Sequence, residues 1–533
     1  LLLGLLGSLL GILFGVLLAQ FALGLVTRTI NDFYFLLTVR EATLTASAVT
    51  KAVALGVGAS VIASAVPALE ASRVPPVQVL RRSDIEQGAR LWAPRIGLLG
   101  LVLAATGSVI FMLSEDSLTR SFLGILVLVL GLAFTVPFAT QILMRLLRPL
   151  SSRIYWRLAV RGVTGQLSRS GIAIAALMVA LSVTIGVTLM INSFRSTVIN
   201  WLDITLYSDI YVSSPVTAGN RPHANLSPAL KARLERVEGV GTVEAIRAVH
   251  VQGDIGELDL TAVDPERVRD AGIYRFATGT ARHVWDRIRE GAIVVSESLA
   301  LRTGDQDTLV LETESGPKTF EIVGVFYDYS SDRGTVLMSR EIYQEHWNDP
   351  AISSLGVGAL PDVSVDDLAE SIRAELSGTG LIVQENFQIR EEALRIFDRT
   401  FAITQSLRVL AVIVAFVGVL SALLALQLDR RREYATLEAL GLAPEGLERL
   451  TYLETGLMGL SASLLAIPTG LLLALILIHV INVRSFGWTI ELAPAFGPFL
   501  QAVVVGVVAS LAAAVYPVSR LRNMQVAEAI RGE

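Results

Sequence analysis

LDRRREYATLEALGLAPEGLERLTYLETGLMG, residues 428–459, lies between two long apolar runs and reads as a short segment on one face of a membrane. Arg430, Arg431 and Arg432 come first, Glu433 follows, and Tyr434, Leu437 and Leu440 recur at three-residue spacing. Apolar residues at that spacing behind a basic cluster predict a short amphipathic helix lying at the membrane surface. Gly441 is placed to end it, and Pro444 to restart the chain. The charges by themselves also suit a solvated loop that anchors topology. The ordered apolar face and the glycine stop favour a docking element.

Outward from this segment, the chain of 533 residues is 52% hydrophobic, too apolar for an ordinary soluble protein. Eight runs are long enough to span a bilayer: roughly 1–26, 46–69, 96–113, 122–144, 171–191, 407–428, 455–480 and 497–518. One polar block, 192–400, separates the fifth from the sixth. The expected fold is therefore a mostly α-helical polytopic membrane protein, with one α+β domain inserted between spans five and six. The first run has no basic leader and no cleavage-like end, so it reads as a true span.

Basic residues fall in alternate connections. The 70–95, 145–169 and 430–449 segments and the tail hold 18 arginines, and the intervening short loops hold 4, namely Arg28, Arg40, Arg120 and Arg484. That asymmetry puts the 430 segment in the cytoplasm and residues 192–400 outside. No cysteine is present, which excludes disulfides and thiolate metal sites.

Part of the chain repeats. Shifted by 450 positions, Gly56, Ala59, Ser60, Ala63, Pro67 and Arg81 fall on Gly506, Ala509, Ser510, Ala513, Pro517 and Arg531, and Gly15–Ala19 echoes Gly470–Ala474 at nearly the same offset. Spans one and two thus repeat as seven and eight in one orientation, the mark of a two-fold transporter-like body. The second copy is preceded by a span, a domain, another span and the 430 segment, so further elements are expected ahead of the first copy, ten spans in all. Gly7, Gly11 and Gly15 form a ridge on the first span that suits close helix packing.

In the polar block, DIYVS (209–213), AIVVS (292–296), TLVLE (308–312) and FEIVGVFYD (320–328) read as strands. Ser227-Pro228 and Ser364 open helices. The stretch 388–428 lacks Gly and Pro until Gly418 and reads as one long helix from domain to membrane. Catalytic machinery is hard to find. Lys51, Lys231 and Lys318 follow no glycine, so no phosphate loop exists, and the five histidines are scattered. Asp328, Asp332 and Arg333 flank a glycine turn that a solvated hairpin end explains. The span cores hold no Asp, Glu, Arg or Lys, which argues against an ion-coupled path and for energy supplied from outside the chain. No enzyme, cofactor, metal or nucleic-acid partner is expected.

Arg431-Arg-Glu-x-x-x-Leu437-x-Ala-x-Gly441, with Glu454 before the next span, resembles the cytoplasmic coupling helix of FtsX-like, or MacB-like, ABC transporter permeases. The twin exits at Pro67 and Pro517, each followed by a Leu/Ile-Arg pair ending at Arg81 and Arg531, are similar to that family's repeated C-terminal signature. GAIVVSESLALRTGD (291–305) and FEIVGVFYD (320–328) resemble its periplasmic core domain. The resemblance implies a multi-pass permease of the bacterial inner membrane, with two copies of a separate ABC ATPase subunit docked beneath. Glu433, Leu437, Gly441 and Glu454 would then serve coupling, with Arg430–Arg432 at the membrane surface. It further implies that ATP-driven motion is relayed to the outer domain to export or extract a lipid, lipoprotein, peptide or drug, with a periplasmic adaptor or cargo protein as a further partner. The alternative is a sensor or regulator that binds an antimicrobial peptide or controls a cell-wall hydrolase. The implied divisions are 1–84 (end of a first permease repeat), 85–150 (two-span linker), 151–191 (lead-in helix and first span of the second repeat), 192–400 (outer domain) and 401–533 (remainder of that repeat).

Overall fold

The computed structural model describes residues 2–33, 45–73, 83–114, 117–150, 154–215, 225–270, 274–278, 281–304, 306–331, 333–439, 441–493 and 495–522, with the backbone alone over stretches that include 21–33, 66–73, 83–91, 402–408 and 425–435. The chain opens with α1 (Leu2–Phe33), α2 (Ala46–Arg73), α3 (Ser83–Met112) and α4 (Leu118–Leu147). A short helix α5 (Ile154–Gly165) leads into α6 (Leu167–Thr205), which rises into the domain. Five helical segments are long and apolar enough to cross a bilayer: Trp92–Met112, Leu118–Leu147, Arg169–Thr205, Pro444–Phe486 and Gly497–Tyr516. The other three expected spans are shorter as described apolar helices, at Gly4–Leu17, Ala46–Val61 and Val412–Ser421. Among the described residues, five segments thus meet the length and apolarity that a bilayer demands.

The domain is built from β1 (Ile210–Ser213), α7 (Ala229–Leu234), β2 (Val240–Gly253), β3 (Gly256–Val263), α8 (Pro265–Asp270), β4 (Phe276–Thr278), α9 (Ala281–Arg289), β5 (Ile293–Ser296), α10 (Glu297–Thr303), β6 (Thr308–Thr313), β7 (Gly316–Phe326), β8 (Thr335–Ser339), α11 (Arg340–Trp347), β9 (Ser354–Ala359), α12 (Val365–Glu375) and β10 (Ile382–Glu385). Its strands run in the order β10-β1-β9-β2-β3-β8-β5-β7-β4, with β6 bridging β2 and β7. The long strand β2 serves two lobes: Val240–Ile246 pairs with β9, and Arg247–Gly253 with β3. Each lobe has its own core. Leu234, Val243, Leu355 and Ile372 fill the first; Leu258, Ile293, Leu309 and Met338 fill the second. All four strands expected from the sequence are present. The other six, β2, β3, β4, β8, β9 and β10, are additional to that expectation; in β2 and β3 polar residues such as Arg247, His250 and Asp259 interrupt the alternation.

From β10 the chain enters α13 (Asn386–Ala439), turns, and continues as α14 (Pro444–Ile476), a π-helical turn at Leu477–Ile481, α15 (Asn482–Phe486) and α16 (Gly497–Arg522). α13 is one helix of 54 residues, roughly 80 Å at 1.5 Å per residue. The membrane core gathers α6, α14 and α5 around Leu177, Leu181, Ile185, Leu457 and Ala466.

Two readings of the sequence need correction. The segment 430–441 is not a separate surface helix: its residues through Ala439 complete α13. Asp328 does not sit at a solvated turn either. It is buried and accepts hydrogen bonds from Ser330 N (3.0 Å), Ser330 Oγ (2.9 Å) and Thr335 Oγ1 (2.5 Å), tying the end of β7 to β8. Arg333 pairs with Glu257, and Asp332 lies outside the described residues.

Candidate functional site

The inner end of α13 closes as a Schellman motif. Gly441 has φ +97, a left-handed conformation that a side chain would strain. Its N–H donates to Glu438 O at 3.0 Å, and Leu442 N–H donates to Leu437 O at 3.0 Å. Pro444 then opens α14 with its preset φ. Leu437 is half-buried and Gly441 exposed. The side chains of Arg430, Arg431, Arg432 and Glu433 lie outside the described residues, although their backbone is helical.

Glu454 departs from its expected position. It is buried, and its carboxylate lies against Gly162 of α5, where a methyl group would collide with it. A carboxylate enclosed between α14 and α5 cannot be a contact surface for a partner below. It packs into the seam between the two helices.

The outer end of the bundle forms a clasp. Beyond α15 the chain runs back over the domain, and Gly487 turns at φ +73. Thr489 N–H donates to Glu297 Oε2 at 2.7 Å, and its hydroxyl donates to the other carboxylate oxygen. The Tyr329 hydroxyl donates to Thr489 O at 2.7 Å, and Arg275 pairs with Glu491. On the stalk side, Glu491 N–H donates to Thr197 Oγ1 (3.1 Å) and Ala493 N–H to Ser193 Oγ (3.1 Å), two hydroxyls one turn apart on α6. Trp488 stacks on Phe486 and meets Phe194 and Tyr329. Burial, reinforced by the negative charges of Glu297 and Glu491, pushes the Tyr329 hydroxyl well above its ordinary pKa and keeps it a neutral donor. Arg195–Asp398 (2.8 Å) and Arg390–Asp203 (2.6 Å) join α6 to α13 just beneath. These pairs are solvent-exposed, so they set register more than stability.

Arg484 completes the clasp on the opposite side. It donates to Phe111 O (3.3 Å), Ser114 O (3.1 Å) and Ser121 Oγ (2.8 Å), closing the α3–α4 turn onto α15. None of Glu297, Tyr329, Thr489 and Arg484 stood out in the sequence as a pair. Their partners are far away in the chain, and only the unusual Trp488-Thr489 after a glycine marks the segment.

The repeat has a structural counterpart. α1 and α2 cross where Gly4 faces Ser60 and Gly56 faces Ser8; α14 and α16 cross where Gly459 faces Ser510 and Gly506 faces Ser463. Gly7, Gly11 and Gly15 meet nothing within 4 Å among the described residues, so the α1–α2 approach runs through Gly4 and Ser8 instead. Pro67 and Pro517 lie in α2 and α16 with side chains outside the description, as are Arg81 and Arg531 altogether. Among the described residues, no group of three or more His, Asp or Glu is placed to hold a metal.

Comparison with known proteins matches two parts of the chain: the FtsX-like permease C-terminal family over residues 406–526 and the MacB-like periplasmic core domain over residues 170–375. The chain is 38% identical over 540 residues to an uncharacterized ABC transporter permease protein of Mycobacterium tuberculosis, a match covering 99% of this chain. It spans 63% of that relative's length. Among solved structures, the periplasmic region of MacB from Actinobacillus actinomycetemcomitans is 13% identical with a TM-score of 0.26, covering 36% of this chain and 95% of that one. The extracellular domain of the noncanonic ABC-type transporter YknZ from Gram-positive bacteria is 13% identical with a TM-score of 0.24, covering 33% and 99%.

Proposed function

We propose that this chain, similar in its parts to FtsX-like permeases and to the MacB-like periplasmic core domain, is an ABC transporter permease that relays the ATP-driven motion of a separate ATPase subunit to its outer domain. The observation that carries the reading is the continuity of α13. One helix runs from β10 of the domain to the Schellman turn at Gly441. A displacement at Leu437 reaches β10 without crossing a loop. The clasp at Glu297 and Thr489 gives the same motion a second point of application, because the chain that continues α14 through α15 reaches the domain there. Arg430, Arg431, Arg432, Glu433, Leu437 and Gly441 form the docking surface for the ATPase, two copies per assembly. Eight spans cross the inner membrane from this chain, the domain faces outward, and the cargo is a lipid, lipoprotein, peptide or drug.

The test is co-purification of the tagged full-length protein with its ATPase, wild type beside Glu433→Ala/Leu437→Asp. The expected outcome is that the subunit is retained by wild type and lost from the variant, along with ATP turnover that depends on the permease. Equal retention by both would overturn the docking assignment. The sensor reading is favoured by a separate feature, a polar cleft of about 460 Å³ between the lobes that is lined by Lys231, Arg289 and Arg340 beside Glu244 and Glu266. Peptide binding at that cleft without ATP-dependent release would favour it.

A further inference from the structure

On the membrane face opposite the domain, α5, α14 and α16 enclose a groove of about 820 Å³. Its long wall is a single face of α14. Arg449, Tyr452, Leu453, Gly456, Leu457 and Leu460 follow one another at spacings of three, one, three, one and three residues, which keeps them on one side of a helix. The order is informative. The cation and the phenol come first, beside the turn at Pro444, and everything deeper is aliphatic or glycine. Val507 and Leu511 of α16 close the far side, and Tyr155 and Trp156 of α5 roof the mouth. Gly456 puts no side chain into the groove, and the nearest atom to a methyl there is Leu511 Cδ2 at 3.6 Å.

The polar groups at the mouth are unused. Arg449 and the hydroxyls of Tyr155 and Tyr452 make no hydrogen bond or ion pair with any described residue. Arg157 and Arg161, exposed on the outer face of α5, are likewise unpaired among the described residues, while Ala159, Val160 and Val163 anchor that helix to the bundle. A basic amphipathic helix at the interface attracts anionic lipid, and a basic pocket between spans binds a lipid head group. From Arg449 to Leu460 the wall is roughly 16 Å long at 1.5 Å per residue, the scale of an acyl chain.

We propose that this groove seats one anionic phospholipid of the adjacent leaflet, its phosphate held by Arg449 with the Tyr155 and Tyr452 hydroxyls, and one acyl chain lying along Leu453–Leu460. The gradient from cation to phenol to hydrocarbon matches that of the lipid from phosphate to glycerol to chain. A lipid there would rest against α5, the helix that packs over Glu454, between α14 and α16.

The test uses the full chain in lipid nanodiscs made of phosphatidylcholine, titrated with phosphatidylglycerol whose acyl chains are dibrominated. Trp156 is held at the mouth by Nε1–H donating to Leu147 O at 3.4 Å, so it reports bromine in the groove. Its signal is the difference between wild type and Trp156→Phe. Brominated phosphatidylglycerol should quench Trp156 at about one-fifth the mole fraction that brominated phosphatidylcholine needs, the effect of one basic residue. Arg449→Ala should abolish that preference while leaving quenching by either lipid possible. Gly456→Phe should fill the groove and remove quenching by both. Added inorganic phosphate should not relieve quenching; relief would mean an anion site without a chain and would overturn the proposal. Equal quenching by the two lipids in wild type, a preference unchanged in Arg449→Ala, or a Trp156 that no brominated lipid reaches would overturn it as well.

Discussion

The crossing of α1 with α2 and that of α14 with α16 use the same four residue types in the same places. Gly4 and Ser8 stand to Ser60 and Gly56 as Gly459 and Ser463 stand to Ser510 and Gly506. Even the local hydrogen bond is repeated: Ser8 Oγ donates to Gly4 O at 2.7 Å, and Ser463 Oγ to Gly459 O at 2.8 Å. What differs is the surroundings. α14 is enclosed by α5, α6 and α16, and Ala462 and Ala466 are fully buried, while Gly470 lies against Ile185 of α6. At the offset of 455 that relates α1 to α14, these three positions are Gly7, Gly11 and Gly15, which meet nothing within 4 Å among the described residues. The small-residue crossing is thus a property of the local sequence, while burial belongs to the neighbours. The glycine ridge of α1 corresponds to the face on which α14 receives α6.

The comparison can be broken at its tightest point. Gly506→Leu, which would strike Ser463 and Leu181, should cost about 3 kcal/mol or more, since buried overpacking has no room to relax. Gly56→Leu should cost visibly less, because α1 can move outward. Thermal unfolding in detergent measures both, and equal losses would mean that the first crossing is as confined as the second. The ridge supplies a sharper contrast. Gly470→Leu should cost about 2 kcal/mol against Ile185, whereas Gly15→Leu should change stability by less than about 0.5 kcal/mol. A loss at Gly15 as large as at Gly470 would show a helix seated on α1.

The outer clasp belongs to the second repeat. Glu297→Ala removes both hydrogen bonds to Thr489 and should loosen the 487–493 segment by about 1.5 kcal/mol, the lower range for bonds to a charged group. Hydrogen exchange should show it as faster exchange at the Thr489 amide, with the β5 and β8 amides unchanged. A smaller loss than at the clasp is expected at the inner turn. Gly441→Ala places a side chain at φ +97 and should cost about 1 kcal/mol, measured by the same unfolding experiment. No loss there would mean that the turn tolerates another conformation.

Much of this architecture is written locally and could be read without the fold. Apolar runs announce membrane helices because lipid forces every backbone group to pair within its own helix. The absence of Gly and Pro before Gly418 announces a long helix over 388–428, and Gly441 with Pro444 marks a stop, read as that of a separate surface helix where the fold has one continuous α13. Strands β1, β5, β6 and β7 were legible because their β-branched runs are short and bounded by turns. The repeat was visible as matching small residues, since close helix approach tolerates few alternatives.

The tertiary structure decided where polar side chains go. Glu454 precedes an apolar run and is assigned by resemblance to coupling, yet α5 folds over it. Thr489 and Glu297 are 192 positions apart, and no local periodicity links them. Whether the glycine stripe of α1 or its neighbour Gly4 makes the close contact depends on the direction from which α2 arrives. Sequence determined the elements and their stops, because hydrophobicity and backbone freedom act within a few residues. The fold determined the clasp, the buried carboxylate and the groove beneath Trp156, because those need groups that only packing brings within 3 Å.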